Sequence, residues 1–151
     1  MKKLLCSTVF ASLCFILMAQ TPSSNSPAPS TAAKLPSTIF HWEKMQPTNT
    51  PSGVRRMVFD APTTTLDKIH CHITTLNAGA SVSDPVRHRQ EEVIIIKEGT
   101  VEATVDGRTE NAGPGSVIFF AANAVTRLRN VGDGPATYTV LSYYTPLAPK
   151  N

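Results

Sequence analysis

Gly79-Ala80-Ser81-Val82-Ser83-Asp84-Pro85-Val86-Arg87-His88-Arg89-Gln90-Glu91-Glu92-Val93-Ile94-Ile95-Ile96-Lys97-Glu98-Gly99 is the stretch on which the reading of this chain turns. His88 and Glu92 lie just before an apolar run that ends at a turn glycine, Gly99. Side chains alternate faces along an extended chain, so Val86, His88 and Glu92 share one face if the backbone stays extended between them. An imidazole and a carboxylate on one interior face are ligands suited to a first-row divalent metal. The unbroken run Val93-Ile94-Ile95-Ile96 predicts a strand buried on both faces.

Strand signals continue on both sides. Upstream, Thr38–Met45 and Val54–Asp60 are short candidates, set apart by Pro47 and Pro51. Leu66–Leu76 is longer, with Ile69, Cys71 and Ile73 on one face and His70, His72 and Thr74 on the other. Downstream, Thr100–Val105 and Arg108–Ala112 flank Asp106-Gly107, a pair suited to a two-residue hairpin. Ser116–Ala121, Val125–Val131 and Ala136–Tyr144 follow, separated by further glycine turns. No segment after residue 38 has helical periodicity. Many short strands with regular turns predict an all-β sandwich or small barrel built from two packed antiparallel sheets.

The N-terminal part has a different character. Residues 1–19 carry two lysines, an apolar run from Leu4 to Met18 and a terminal alanine, the pattern of a cleaved secretory signal peptide. The run is shorter than the roughly 20 apolar residues of a membrane span. Residues 20–37 are rich in Pro, Ser, Thr and Ala and are expected to form a disordered linker. Residues 38–151 then form one domain, long enough for a single core. The expected location is periplasmic or secreted, with no membrane span in the mature form. Cleavage removes Cys6 and Cys14 and leaves Cys71 alone, so the mature chain has no internal disulfide. It also removes Lys2 and Lys3, which takes the formal charge from +3 to +1. There is no basic stripe, no interleaving of aromatic with basic residues and no zinc-finger spacing, which excludes a nucleic-acid partner.

The residues of the opening stretch resemble a cupin, the small jelly-roll or double-stranded β-helix barrel. Its first motif reads Gly-x5-His-x-His-x3–4-Glu-x6-Gly and its second Gly-x5-Pro-x-Gly-x2-His-x3-Asn. Glu92-x6-Gly99 fits the end of the first motif, and His88 matches its second histidine. Val86 stands at the first histidine position, and Gly79 lies one residue upstream of the glycine position. In the second motif Gly115 and Asn130 match, while Ala121, Asn123 and Thr126 replace proline, glycine and histidine. The resemblance covers residues 66–145. It implies a cavity lined by Val86, His88, Glu92 and Thr126. It also implies a metal site of three histidines and one glutamate, of which this chain keeps only His88 and Glu92.

Valine cannot ligate and a threonine hydroxyl is a weak ligand, so the expectation is a degenerate metal site. Two ligands are fewer than the three that a catalytic zinc site keeps. No stoichiometric metal or other cofactor is expected, and any divalent metal should bind weakly. His70 or His72 could replace a missing ligand if their face points inward. His88 and Glu92 also read as a simple hydrogen-bonded pair, Cys71 as a buried small hydrophobe, and Arg127 and Arg129 as a solvated face. Two functional classes stay open. One is a metal-poor cupin that binds a small polar molecule or serves as a structural or interaction module. The other is a metal-dependent dioxygenase, isomerase or hydrolase with a substituted ligand set. The missing imidazoles favour the first. A homodimer is expected, because Val93 and Ile95 have the parity opposite to Glu92 and should leave an apolar outer face to be covered.

Overall fold

The computed structural model describes residues 32–82 and 84–145. The expected signal peptide at 1–19 and the linker up to residue 31 lie outside the described residues. Within 32–37, Leu35 donates its backbone N–H to the Pro62 carbonyl at 2.8 Å. No helix among the described residues is long and apolar enough to cross a membrane.

Among the described residues, ten strands follow a single 3-10 turn, Trp42–Lys44: β1 (Pro47–Thr50), β2 (Gly53–Ala61), β3 (Lys68–Leu76), β4 (Val86–Arg87), β5 (Glu91–Glu98), β6 (Val101–Val105), β7 (Arg108–Ala112), β8 (Val117–Phe120), β9 (Val125–Asn130) and β10 (Ala136–Tyr144). They form a six-stranded sheet in the order β1-β2-β3-β10-β5-β8 and a four-stranded sheet in the order β4-β9-β6-β7. All pairings are antiparallel. This is the all-β jelly-roll expected from the turn spacing. The Asp106-Gly107 hairpin has positive φ at both residues, 47° and 83°, as a tight two-residue turn between twisted strands requires.

Register decides which residues face inward. Directly paired residues of an antiparallel ladder share a face. On β10, Tyr138, Val140 and Ser142 pair with Thr74, His72 and His70 of β3 and with Ile96, Ile94 and Glu92 of β5. That row points at the second sheet, whose inward residues include Thr126, Leu128 and Asn130 on β9 and Val101 and Ala103 on β6. The core is Leu76, Ile94, Ile96, Val101, Ala103, Phe120, Leu128, Ala136, Tyr138 and Val140. Burying each large side chain of this set stabilises the fold by about 1.5–3 kcal/mol. Gly99 enters the β5–β6 turn at φ 76°, and a Cβ there would lie 2.7 Å from the Ala136 Cα, so no other residue fits without moving β10.

Two expectations are corrected. Thr38–Met45 is not a strand: it contains the 3-10 turn, and the first strand starts at Pro47 instead. Proline is tolerated there because β1 is an edge strand and Pro47 is its first residue. The run Val93–Ile96 is not buried on both faces either. Ile94 and Ile96 are in the core, but Ile95 is 40% exposed. The second face of β5 is the outside of the larger sheet.

Asn130 holds a corner between the sheets. It is fully buried, and its amide nitrogen lies within hydrogen-bond reach of the carbonyls of Leu76 at 3.2 Å, Asn77 at 3.0 Å and Gly134 at 2.8 Å. Its oxygen accepts from the Gly132 N–H at 3.0 Å. Asn130→Asp keeps the shape but removes both donors and sets a carboxylate against three carbonyls. It should cost about 3 kcal/mol or more in chemical denaturation. A loss within experimental error would show that this corner is not needed.

Candidate functional site

Val86, His88, Glu92 and Thr126 line one cavity of about 130 Å³ between the two sheets. Each arrives by a different local device. Val86 and Thr126 are direct partners in the β4–β9 pairing. Thr126 is buried, and its hydroxyl reaches the Val86 carbonyl at 3.4 Å. His88 lies after β4, where the backbone N–H of Asn123 donates to its carbonyl at 2.7 Å. Asn123 has φ 64°, in the left-handed region that asparagine tolerates better than most residues, which accounts for asparagine at a position where the motif has glycine. The chain is not extended from His88 to Glu92. It bends at Arg89 and Gln90, so shared parity does not explain their convergence; the bend does.

Glu92 is not paired with His88. Its Oε1 accepts from the Ser142 hydroxyl at 2.9 Å and from Gln90 Nε2 at 3.1 Å. Ser142 is buried on β10, so a rigid central strand fixes this carboxylate. His72 also lines the cavity, while His70 does not. His70 Nε2 and His72 Nδ1 are 2.9 Å apart, and His70 Nδ1 lies 3.5 Å from Asp60 Oδ1. His72 therefore has only its Nε2 left for a ligand. Burial, with Arg55 and His70 adding to it, pulls the pKa of His72 down from 6.5 to about 3, so the ring is neutral.

The residues present do not fit the metal of the motif. Val86 offers no donor atom. Thr126 offers a neutral hydroxyl already directed at a carbonyl, and His72 is bonded to its neighbour. Among the described residues, no three His, Cys, Asp or Glu side chains are grouped as a metal site requires.

Other readings can be placed as well. Cys71 is buried on the outer side of β3, where burial raises its thiol pKa from 9.0 to about 11 and favours the protonated thiol. Trp42 is outside the core, with the Arg56 guanidinium 4.4 Å and the Lys97 ammonium 5.2 Å from its ring centroid. Arg127 is not a freely solvated side chain: it is half-buried, borders the cavity and donates from Nη2 to the Ser81 hydroxyl at 3.2 Å.

Sequence reasoning missed Arg55 and Tyr138, which also line the cavity. For Arg55 the signal was present. Arg55 and Arg56 are adjacent in one strand, so alternation must turn one of them inward. Pairing with Thr74 selects Arg55, while Arg56 lies over Trp42. Burial pushes the Tyr138 phenol well above its usual range, so it remains a neutral O–H.

Two outcomes follow. Val86→His with Thr126→His sets two imidazoles side by side beside His88 and Glu92. Divalent-metal affinity, read by calorimetry, should rise sharply and fall back when His88 or Glu92 is also changed to Ala. A folded double variant that binds metal no better than wild type would contradict this convergence. The second outcome concerns pH. The folded chain keeps His72 neutral, whereas the unfolded chain takes up a proton below pH 6.5. The contribution of this ring to stability is complete above pH 6.5 and is lost as pH falls toward about 3. Urea denaturation across that range should show a shallower acid loss for His72→Gln than for wild type; an equal or steeper loss would count against a neutral buried ring.

Comparison with known proteins places the barrel. Residues 72–142 match the cupin domain family. A cupin described as RmlC-like, from Shewanella frigidimarina, superposes with a TM-score of 0.60 at 16% identity, covering 74% of this chain and 95% of its own. The polyketide cyclase RemF of Streptomyces resistomycificus gives 0.59 at 18% identity, over 71% of this chain and 79% of its own. A predicted oxalate decarboxylase of Thermotoga maritima gives 0.58 at 13% identity, over 71% of this chain and 99% of its own. At these identities the likeness is one of fold. No curated protein matches the chain in sequence. With the matched segment, the glycine and glutamate framework that carries it and the two-sheet barrel, residues 72–142 of this chain form a cupin domain.

Proposed function

We propose that this chain is an exported cupin-domain protein that binds a small polar molecule in its barrel cavity without a stoichiometric metal. The observation that carries the reading is the Val86–Thr126 pair. Two positions that hold imidazoles in the metal-binding motif hold a side chain without a donor and a hydroxyl turned to a carbonyl. The cavity is nevertheless polar, with His72, His88, Glu92 and Tyr138 among apolar walls, as a site for a small oriented molecule would be.

A metal-dependent enzyme of dioxygenase, isomerase or hydrolase type is the second reading. It is favoured by His88 and Glu92 on the cavity wall and by the Nε2 of His72 beside them. Both readings meet in one preparation, the untagged protein recovered from the periplasm and given no metal. N-terminal sequencing should find a start near residue 20, and elemental analysis should find well under one metal per chain. One tightly held metal per chain would put the enzyme reading first, and an intact Met1 would remove the export reading.

We also propose a homodimer built on the outside of the larger sheet. Ile95 is 40% exposed, Val117 65% and Phe119 55%, and these three lie together because Ile95 pairs with Val117 and Val93 with Phe119. The β8 strand that carries two of them is a sheet edge. An apolar patch at an edge strand is covered in stable soluble proteins. Light scattering should give twice the chain mass at micromolar concentration, and Phe119→Lys with Val117→Lys should give a monomer. A wild type that is monomeric under those conditions would refute the dimer.

A further inference from the structure

We infer that the cavity takes a small organic carboxylate, held by Arg55 and carrying a hydroxyl or amino donor that faces Glu92; the inference rests on the proposed binding of a small molecule in that cavity. Arg55 stands on β2 with its side chain turned inward beside Thr74. Its Nε is buried and has no hydrogen-bond partner. No ion pair or side-chain hydrogen bond of Arg55 occurs among the described residues. The other inner-strand and rim arginines each have a partner. Arg56 lies over Trp42 and Arg87 donates to the Asn123 carbonyl; Arg127, whose Nε is likewise buried without a partner, donates from Nη2 to the Ser81 hydroxyl.

Arg55 is half-buried, its guanidinium cannot shed its charge at any ordinary pH, and withdrawing part of it from water without an anion is costly. Nothing among the described residues supplies that anion. Glu92, the carboxylate of the same cavity, is turned to Ser142 and Gln90. His72, the ring next to Arg55 in the cavity wall, is neutral and adds no second positive charge. The missing partner is therefore a ligand with an acidic group.

The shape and chemistry of the space narrow the class. The planar fork of arginine matches a carboxylate through two parallel hydrogen bonds. Val86, Ile94, Phe120, Leu128 and Val140 give the cavity apolar walls, which suit a carbon stem better than an inorganic ion. A volume of about 130 Å³ admits a molecule of only a few heavy atoms. Glu92 on the same wall accepts hydrogen bonds, so the far end of the ligand must donate one. Arg55 and Val82 also line an adjoining open cleft bounded by Thr50, Ser52 and Ser81, which places Arg55 where the cavity meets solvent.

The test is an NMR titration of backbone amides with L-lactate and with its neutral counterpart lactamide. Lactate should shift the amides of Thr74, Thr126 and Tyr138 saturably. Lactamide should bind about tenfold to a hundredfold more weakly, the loss expected when a charge-assisted contact is removed. Arg55→Gln should bring lactate down to the level of lactamide, Arg55→Lys should keep part of the difference, and Val86→Phe, which fills the cavity, should abolish both responses. Equal binding of lactate and lactamide, unchanged in Arg55→Gln, would overturn the carboxylate while leaving the cavity reading in place. A lactate response lost in Arg55→Gln but kept in Val86→Phe would overturn the cavity reading and leave Arg55 as an anion site facing the cleft. Inorganic phosphate that displaces lactate with equal affinity would overturn the organic ligand, and no response to either lactate or lactamide would overturn both readings.

Discussion

The Asn130 carboxamide is the point on which the two sheets depend. One side chain from β9 bonds to the end of β3, to the connection after it and to the turn that starts β10. β9 belongs to the smaller sheet and β3 and β10 to the larger, and nothing in their apolar content would fix how one sheet sits over the other. Hydrophobic burial is non-directional; four polar atoms at fixed distances are not. With the corner set, β10 lies centrally between β3 and β5, and its inward row of Tyr138, Val140 and Ser142 can serve as the floor of both core and cavity.

The cavity follows from that floor. The same strand that buries Tyr138 and Val140 turns the Ser142 hydroxyl to Glu92, so a core strand orients a polar wall. On the opposite side, β4 and β9 bring Val86 and Thr126 face to face. The cavity wall carries a carboxylate, Glu92, and an imidazole, His88, while the paired positions across β4 and β9 hold Val86 and Thr126. A fold can persist when its chemical residues are exchanged, because turns and corners are fixed by glycine conformation and backbone bonding, and not by the side chains of the cavity. Gly99 and Asn130 belong to the first group, Val86 and Thr126 to the second.

The two faces of the larger sheet show a division of labour. The inner face carries the core and polar groups such as Ser142 and Glu92 that bury with a partner, while the Nε of Arg55 and the hydroxyl of Thr74 are buried without one. The outer face carries Ile95, Val117 and Phe119 without cover, beside a tryptophan flanked by Arg56 and Lys97. An unpaired charge inside and uncovered apolar groups outside are both departures from what a solitary stable domain would have. The proposed small anion answers the first and the proposed dimer the second.

Much of this was legible in the chain. Strand positions, the Asp106-Gly107 hairpin and the glycine framework follow from local rules: side-chain alternation, positive φ at turns and the absence of helical period. The cupin barrel could be read at the level of residue type, as could the absence of imidazoles at Val86 and Thr126. Tertiary structure alone decided what depends on register and on bends. It moved the first strand to Pro47, since only an edge position excuses a proline. It exposed Ile95, since burial of a strand's second face depends on what packs there and not on the strand. It turned Glu92 to Ser142, fifty residues away in the chain, in place of its neighbour His88. Alternation required one of Arg55 and Arg56 to face inward, but only pairing with β3 chose Arg55, because the period of a strand sets which residues share a face and the partner strand sets which face is the inside.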